Sequence, residues 1–359
     1  MIAGQLYVNG RFFSQAVTGV QRYARELTGA LDRLLTAEGP GKHEVTVVAP
    51  RSCTLIDGFG RMKVERVGRQ NGHAWEQIEL PWHARHGTLM SFANTGPLLH
   101  PRQIVTIHDA SVFAVPETYS KAFRAWYRLL LPQLGRAARM VVTDSMFSRN
   151  ELSRLAGIPQ ERIHVVPGGC DHILSRPANP RVLEEFGLFN RRYVLAVGSH
   201  RPHKNLDLVV RAMECLGTVE CALVIVGAQN ARVFADQTPA AGALSVGRVD
   251  DAELRALLEH ATCLVFPSRY EGFGLPPLEA MACGCPTIVA RAASLPEVCG
   301  DAAIYVDPAD ARGLAQAIRQ FALDDAIRQE YRRRGFERAQ TFRWERAARE
   351  ILDLAAELE

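Results

Sequence analysis

Several features are missing from this chain of 359 residues. No uninterrupted apolar run approaches the about 18 residues that a membrane-spanning helix needs. The first residues also lack the basic region and the long apolar core of a signal peptide. Basic and acidic residues nearly balance, 42 against 39 with a net charge of +3, which gives no reason to expect a nucleic-acid partner. The sequence therefore predicts a cytoplasmic protein that does not bind nucleic acid.

Paired cysteine spacing is also missing. The eight cysteines are scattered through mostly apolar contexts, which predicts buried free thiols in a reducing compartment. Cys170 lies close to His172 and Cys283 close to Cys285, but neither pair has a second pair at a suitable distance to complete a four-ligand zinc site. We therefore predict no metal site.

The chain alternates short apolar runs of strand type with helical patterns from end to end. Its length predicts two domains of roughly 150 to 200 residues, and the alternation predicts parallel sheets covered by helices on both faces. Twelve strands divide into two six-stranded units, so the fold class is α/β with two Rossmann-like domains. The predicted strands are Gln5–Val8, Glu44–Ala49, Thr88–Phe92, Ile104–Ile107, Met140–Thr143, Ile163–Val166, Tyr193–Val197, Ala222–Val226, Ala243–Val246, Cys263–Phe266, Thr287–Ala290 and Ala303–Val306.

A segment rich in turn-forming residues, Pro167–Pro177, marks the expected join between the domains. We place the first domain at residues 1–170 and the second at 171–340, with substrates in the cleft between them. Residues 341–359 read as an amphipathic helix that packs back on the first domain. Its apolar side chains fall at helical spacing: Trp344, Ala348, Ile351 and Leu354.

The most informative motif, Arg269–Pro286, is a glycine-rich turn that enters a helix directly after the strand Cys263–Phe266. Glycines allow close backbone approach to a ligand and a positive φ, while Pro276 and Pro277 suit a first helical turn. The amide N–H groups at such a helix start point at an acceptor-rich ligand, and they belong to Phe273, Gly274 and Leu275. The carboxyl end of a strand is where open α/β sheets bind ligands. The motif therefore predicts a sugar-nucleotide site.

This motif and its neighbours resemble the retaining glycosyltransferases of family 4, which have the GT-B fold. The turn is preceded by Gly247–Leu254 and followed by Ala280–Gly284 and Ser294–Val298, in the order and spacing of that family. The resemblance covers nearly the whole chain. It implies two Rossmann-like domains facing across a cleft, with the acceptor bound by the first and a nucleotide-diphosphate sugar bound by the second.

The resemblance assigns roles to two glutamates. It implies that Glu271 contacts hydroxyls of the transferred sugar and that Glu279 holds the nucleotide ribose. A carboxylate can accept two hydroxyl hydrogen bonds at once, which suits the vicinal diol of a ribose. The alternative is that Glu279 only complements the positive end of the helix and that Glu271 is a solvated loop charge.

A second motif, Val197–Leu206, combines a strand end, a glycine and several cationic side chains, which together favour diphosphate binding. By resemblance Lys204 is the phosphate lysine, Arg201 takes the role of the family's arginine, and Arg248 joins the donor-binding residues. Many family members carry that arginine at the positions held here by Ser199 or His203, and this departure leaves the assignment of Arg201 open. A solvated residue at a helix start is the alternative for Lys204.

Two residues of the first domain also match the family. His108 follows the strand Ile104–Ile107, and the resemblance implies that it approaches the donor sugar and hydrogen-bonds its hydroxyls. Gly19 opens a predicted helix and matches a glycine whose backbone meets the phosphate or the acceptor. A satisfied structural histidine and a plain helix cap with Thr18 are the alternatives.

Two segments of the first domain combine aromatic and charged residues, Asn71–Pro81 and Ser120–Leu131, and are candidates for acceptor recognition. The second segment places Phe123 and Tyr127 at helical spacing beside Lys121 and Arg124. Such a face can rest on a membrane that holds a lipid-linked acceptor. The alternative is that it is the core face of a surface helix.

Taken together, the sequence and the resemblance predict a retaining, metal-independent hexosyltransferase that uses no cofactor. GDP-mannose is the first choice of donor, ahead of GDP-rhamnose or a UDP-hexose, because the pattern resembles bacterial mannosyltransferases of O-antigen and exopolysaccharide assembly. The expected acceptor is a lipid-linked saccharide, which leaves a peripheral contact with the inner membrane open. Two other readings remain: a sugar-nucleotide epimerase or hydrolase of the same fold, and a catalytically silent scaffold in polysaccharide assembly.

Overall fold

The computed structural model describes residues 4–39, 43–53, 58–199, 201–217, 219–227 and 243–358. The chain divides into two compact units. The first comprises Met1–Gly169 together with Arg343–Glu359, and the second comprises Cys170–Phe342. The sequence placed these divisions at residues 170 and 340.

The first unit is built on a seven-stranded parallel sheet in the order β3-β2-β1-β4-β5-β6-β7. Its central strands are almost wholly buried, because apolar side chains occupy both faces, as expected of a parallel sheet covered by helices. The strands are β1 Gly4–Asn9, β2 His43–Pro50, β3 Lys63–Val67, β4 Thr88–Ser91, β5 Gln103–Thr106, β6 Met140–Thr143 and β7 Ile163–Val165.

Strand β3 corrects the sequence prediction, which gave this unit six strands. Its sequence, Lys-Val-Glu-Arg-Val, carries only two apolar residues, and none of its five side chains is fully buried. It pairs with β2 alone, at the edge of the sheet. An edge strand exposed to solvent lacks the apolar run by which the other strands were recognised.

The helices of the first unit include two long amphipathic ones that pack on each other. The predicted C-terminal helix, Trp344–Ala356, contacts Gly19–Glu38 and buries Trp344, Ala348 and Ile351 in the same core. The other helical segments are Gly10–Ser14 (3-10), Gly72–Ala74, Trp75–Glu79 (π), Leu80–His83, Ser111–Ala114, Pro116–Thr118 (3-10), Lys121–Ala137, Met146–Ala156 and Gln160–Arg162 (3-10).

The second unit contains a six-stranded parallel sheet in the order β10-β9-β8-β11-β12-β13. All six strands lie where the apolar runs predict them. They are β8 Tyr193–Val197, β9 Ala222–Val226, β10 Ala243–Gly247, β11 Cys263–Phe266, β12 Thr287–Ala290 and β13 Ala303–Val306. The observed sheets confirm the α/β class with two Rossmann-like domains.

Helices cover the sheet of the second unit and form two buried apolar clusters with it. They are Asp171–Leu174 (3-10), Arg181–Glu185, Pro202–Lys204 (3-10), Leu206–Cys215, Asp251–His260, Leu275–Ala282, Leu295–Cys299, Ala311–Leu323 and Asp325–Ala339. Across both units, none of the described helices combines the length and the apolar character needed to cross a bilayer.

Candidate sugar-nucleotide site

Lys204 and Glu271, which lie far apart in the sequence, meet in the second unit. The Lys204 Nζ atom lies 2.6 Å from Glu271 Oε1, and both side chains are largely buried. Lys204 follows strand β8 and Glu271 follows strand β11, and these neighbouring strands lie at the point where the strand order reverses. Open α/β sheets bind ligands at the carboxyl ends of the strands on either side of such a reversal.

Two further contacts fix the loops that carry this ion pair. Asn205 adopts a left-handed backbone with φ of 59°, and its side-chain amide donates to the carbonyls of Pro267 at 3.1 Å and Pro308 at 2.9 Å. The backbone N–H of Arg269 donates to the His203 carbonyl at 2.8 Å. The loop after β8 is therefore tied to the loop after β11, which sets Lys204 against Glu271.

The glycine-rich turn starts the helix Leu275–Ala282 as the sequence predicts. Gly274 has φ of 117°, a conformation that favours glycine, and a Cβ atom there would lie 2.9 Å from Leu295 Cδ2. The buried Ser294 hydroxyl donates to the carbonyls of Glu271 at 3.0 Å and Phe273 at 2.6 Å. These two hydrogen bonds hold the turn in shape. The first amides of the helix have no intrahelical acceptor.

Glu279 lies inside that helix, and its carboxylate is oriented by His172. The His172 Nε2 atom is 2.9 Å from Glu279 Oε1, and both side chains are buried. Glu279 Oε2 has no hydrogen-bond partner among the described residues. A carboxylate has about four lone-pair sites, so Glu279 retains the capacity to accept hydrogen bonds from a ribose diol.

The two arginines predicted for the donor site are both exposed. Arg201 immediately precedes the 3-10 segment Pro202–Lys204, and Arg248 follows the edge strand β10. His200, which belongs to the same motif as Lys204, lies outside the described residues. Both arginines are thus at carboxyl ends of strands of the second sheet, although β10 lies two strands away from β8.

In the first unit, His108 is buried and paired with Asp144. Its Nδ1 atom lies 2.6 Å from Asp144 Oδ2, and its Nε2 atom lies 3.1 Å from the Phe92 carbonyl oxygen. The ring of Tyr23 meets the His108 ring edge-on with centroids 4.6 Å apart. His108 follows β5 and Asp144 follows the neighbouring β6 at the equivalent position, because Ile104 pairs with Met140.

Both ring nitrogens of His108 face oxygen atoms that accept hydrogen bonds, which favours the doubly protonated ring. Burial alone disfavours that charged form, but the Asp144 carboxylate outweighs burial, and the pKa of His108 is raised. A direct hydrogen bond from His108 to a sugar hydroxyl, as the resemblance implies, requires one of these two bonds to be exchanged.

Gly19 is the first residue of the helix Gly19–Glu38, and a Cβ atom there would meet nothing within 4 Å. Neither packing nor a positive φ therefore demands a glycine at this position. Thr18 occupies the cap position without a side-chain capping hydrogen bond. Gly19 and His108 belong to one structural neighbourhood, since Tyr23 is one turn beyond Gly19 on the same helix.

All eight cysteines are free, and six are buried as the sequence predicts, whereas Cys215 is exposed and Cys221 is half-buried. No group of three or more His, Cys, Asp or Glu side chains within the described ranges is arranged to hold a metal ion. His172, considered with Cys170 as a metal ligand, contacts Glu279 instead.

Comparison with known proteins identifies the family. The family models for glycosyl transferases group 1 and for Glycosyltransferase Family 4 match residues 184–338 and 17–173. The chain is 33% identical over 264 residues to O-antigen chain mannosyltransferase B of Escherichia coli, across 70% of this chain and 69% of the relative. The chain belongs to the family 4 glycosyltransferases.

A second relative of this glycosyltransferase is an O-antigen chain mannosyltransferase of Salmonella typhimurium, 28% identical over 65% of both chains. Solved structures of similar fold include a glycosyltransferase involved in lipopolysaccharide biosynthesis, with a TM-score of 0.73 and 16% identity over 98% of this chain and 99% of that one. An Anabaena protein in complex with UDP-glucose gives a TM-score of 0.74 and 17% identity over the same shares. These likenesses confirm the GT-B fold of the glycosyltransferase.

Proposed function

We propose that this glycosyltransferase moves mannose from GDP-mannose to a saccharide hydroxyl, with retention of configuration at the anomeric carbon. The observation that carries the proposal is the meeting of Lys204 and Glu271 at the carboxyl ends of β8 and β11. The names of the two O-antigen mannosyltransferase relatives support mannose as the transferred sugar. The Anabaena complex supports a nucleotide-diphosphate sugar as the class of donor.

Under this proposal the polar groups of the candidate site each have a part in donor binding. The diphosphate is bound by the ammonium group of Lys204 and by the guanidinium groups of Arg201 and Arg248. The first amides of the helix Leu275–Ala282 also bind it. Glu271 accepts hydrogen bonds from the sugar hydroxyls, and Glu279, oriented by His172, accepts them from the ribose. The ion pair of Lys204 with Glu271 keeps both side chains ordered and close, which lowers the cost of arranging them around the donor.

Catalysis is then mainly electrostatic. As the bond from the anomeric carbon to the phosphate oxygen lengthens, negative charge grows on the diphosphate, where Lys204 and the amides stabilise it more than they stabilise the bound donor. The acceptor hydroxyl attacks from the face that the diphosphate leaves, and a diphosphate oxygen takes its proton. This route assigns no catalytic part to a metal ion or to a cofactor.

The acceptor side of the proposal is a lipid-linked saccharide presented at the cytoplasmic face of the inner membrane. It is supported by the helix Lys121–Ala137, on which Leu129 is 63% exposed and Phe123 is 40% exposed, and on which Lys121 and Arg124 supply positive charge for anionic lipids. Sedimentation with vesicles of phosphatidylcholine and phosphatidylglycerol tests this contact. Leu129→Glu is expected to lower the bound fraction, and equal binding of the variant contradicts the contact.

A transfer assay tests the whole proposal. The purified full-length protein is incubated with radiolabelled GDP-mannose or UDP-glucose, with and without a mannose-terminated lipid-linked oligosaccharide. We expect transfer from GDP-mannose only when the acceptor is present, and an α-linked product by NMR. Lys204→Ala is expected to lower the transfer rate about 10² to 10³-fold, whereas Lys63→Ala, on the exposed edge strand β3 of the other unit, serves as the matched control.

Two outcomes contradict the proposal. Consumption of GDP-mannose at the same rate without acceptor indicates a hydrolase or an epimerase of this fold. Binding of GDP without turnover of either donor, with the acceptor present, indicates a silent scaffold.

A further inference from the structure

A buried polar cluster occupies the first unit at the place where its sheet reverses strand order. Strands β1 and β4 are neighbours there, and their carboxyl ends carry Asn9 and Ser91. The same position in the second sheet, between β8 and β11, carries Lys204 and Glu271. Since the carboxyl ends at a reversal of strand order are where open α/β sheets bind ligands, the cluster at β1 and β4 calls for a functional explanation.

Glu76 is the centre of this cluster. Its Oε1 atom accepts hydrogen bonds from Asn9 Nδ2 at 2.8 Å, Arg11 Nε at 3.0 Å and Thr95 Oγ1 at 3.0 Å, and its side chain is 1% exposed. Burial alone raises the pKa of this carboxyl, but the hydrogen bond from His73, the charge of Arg11 and the hydrogen bond from Asn9 outweigh burial, so the pKa of Glu76 is lowered. Glu76 is therefore a fixed carboxylate at neutral pH.

His73 connects this carboxylate to the surface. Its Nδ1 atom lies 3.3 Å from Glu76 Oε2, and its side chain is 36% exposed. A carboxylate only accepts hydrogen bonds, so Nδ1 is the donor in this contact, and Nε2 is left as an acceptor whenever the ring is neutral. Within the described part of the chain, Nε2 has no hydrogen-bond partner. Glu76 thus fixes the tautomer of the neutral His73 ring. The Nε2 atom of that ring can then accept a hydrogen bond from a hydroxyl group.

The backbone around this pair is unusual. Residues Trp75–Glu79 form a π-helical turn, in which the N–H of Leu80 donates to the carbonyl of Trp75 five residues back. Such turns are rare and often occur at functional sites. Gln77 ties the turn to the loop after β4, donating to the Gly96 carbonyl at 2.8 Å and accepting from the Leu98 N–H at 3.0 Å.

Two aromatic rings lie close to the partly exposed His73 side chain. The Trp126 ring centroid lies 5.6 Å from that of His73, and Trp126 is 41% exposed. The Tyr127 ring lies 6.2 Å from His73 and is stacked on Phe123 at 4.2 Å. The two segments that the sequence marked for acceptor recognition, Asn71–Pro81 and Ser120–Leu131, therefore meet at His73. A partly exposed aromatic face beside a few oriented polar groups is the usual lining of a site for a small polar ligand.

We propose that His73 and Trp126 form the subsite for the acceptor saccharide. His73 Nε2 accepts a hydrogen bond from a sugar hydroxyl, and the Trp126 ring contacts the apolar face of the same sugar. Glu76 acts as a positioning residue, since it fixes the tautomer and the orientation of His73. This inference rests on the proposed function, because an acceptor saccharide is required only by a transferase.

Direct binding of a small acceptor tests the subsite without a membrane or a donor sugar. Methyl α-D-mannoside is titrated into the full-length protein saturated with GDP, and binding is followed by saturation-transfer NMR. We expect a dissociation constant in the millimolar range for the wild type, with saturation strongest on the ring protons of the sugar. His73→Ala and Trp126→Ala are each expected to weaken binding at least tenfold, and Trp126→Phe to recover most of the loss.

Matched controls come from the same unit. His86→Ala removes another exposed histidine, and Trp82→Ala removes a tryptophan that is 65% exposed. Neither control is expected to change mannoside binding, and none of the variants is expected to change the affinity for GDP by more than twofold in calorimetric titration.

The outcomes separate this inference from the proposed function. Equal mannoside binding by wild type, His73→Ala and Trp126→Ala overturns the subsite, as does the absence of binding to the wild type at a probe concentration of tens of millimolar. Absence of GDP binding to the wild type overturns the proposed function. In that case the mannoside titration is made without nucleotide, and loss of binding in the two variants alone still supports a saccharide subsite at His73.

Discussion

At the scale of single residues, the charged groups of the candidate sites are held by partners before they meet a ligand. Lys204 is held by Glu271, Glu279 by His172, and His108 by Asp144, each within its own unit. Such pairing keeps a buried charge compensated and leaves fewer side chains to order when a substrate binds.

The His108–Asp144 pair predicts a pH-dependent stability. The pKa of His108 is raised above its usual value, so its contribution to stability is fully present below about pH 6.5 and is lost as the pH rises through the raised pKa. Asp144→Asn is expected to lower the free energy of unfolding by about 3 kcal/mol at pH 6. Urea unfolding curves at pH 6 and pH 9 measure the free energy of unfolding of both proteins. We expect the difference in this free energy between wild type and variant to be smaller at pH 9. A difference that is the same at both pH values contradicts the assignment of a charged His108.

The sequence predicted some of these site residues and not others. Lys204, Glu271 and Glu279 stand in motifs whose order along the chain carries the family resemblance. Asp144 and His172 were missed as partners, because a pairing between side chains of separate segments leaves no local pattern. The one usable signal was for Asp144, which follows β6 at the position where His108 follows the adjacent strand β5.

At the scale of elements, the start of the helix Leu275–Ala282 is the most constrained part of the candidate donor site. Its two prolines occupy positions at the helix start where an amide donor is not needed, and Gly274 carries the positive φ that brings the chain into the helix. Ser294, from the start of the next helix, holds the turn by its carbonyls. The geometry of the first amides of this helix therefore depends on two helix starts.

Two glycine substitutions separate backbone strain from a role in binding. Gly274→Ala is expected to lower the free energy of unfolding by about 1–3 kcal/mol, because of the φ of 117° and the 2.9 Å approach to Leu295. Gly19→Ala is expected to change it by less than about 0.5 kcal/mol, since the position is open. If Gly19 meets a substrate, as the resemblance implies, the alanine variant nevertheless transfers mannose more slowly.

Urea unfolding and the transfer assay provide both readouts. Equal stabilities of the two alanine variants contradict the strain argument. An unchanged rate for Gly19→Ala contradicts the proposed role of that glycine.

Apolar patterns in the sequence predicted some elements and missed others. Apolar runs located every buried strand, because strands of a parallel sheet covered on both faces are apolar throughout. They failed for Lys63–Val67, whose exposed position at the sheet edge leaves no such run. The π-helical turn Trp75–Glu79 had no recognisable signature either, since it differs from an α-helical turn only in its hydrogen-bond partners.

At the scale of the whole molecule, each unit has its own sheet and its own buried core. The C-terminal helix completes the first unit although it follows the second in the chain. Trp344 is 1% exposed there, its ring lies 5.4 Å from that of Tyr23, and a Cβ atom at Gly168 would lie 3.1 Å from it. The stability of the first unit therefore depends on the last residues of the chain.

Trp344→Ala tests this dependence. The loss of a fully buried tryptophan is expected to lower the free energy of unfolding of the first unit by about 3–5 kcal/mol. Binding of GDP by the second unit is expected to stay within twofold of wild type, because the helix belongs to the other core. Trp82→Ala, which removes a largely exposed ring, is the control and is expected to change stability by less than about 0.5 kcal/mol. Loss of GDP binding in Trp344→Ala at a temperature where its second unit is folded contradicts the separation of the two cores.

The most direct test of the central claim is a calorimetric titration of GDP and UDP into wild type and Glu279→Ala. Loss of the charge-assisted hydrogen bonds to the ribose is expected to weaken GDP binding by about 1.5 to 3 kcal/mol, which is roughly 10 to 150-fold in the dissociation constant. Glu337→Ala, on an exposed helix of the same unit, is the control and is expected to bind as wild type does. Tighter binding of GDP than of UDP by the wild type, together with the loss in Glu279→Ala, is the result that the account predicts. Equal affinity of wild type and Glu279→Ala for GDP, or no binding of either nucleotide, contradicts it.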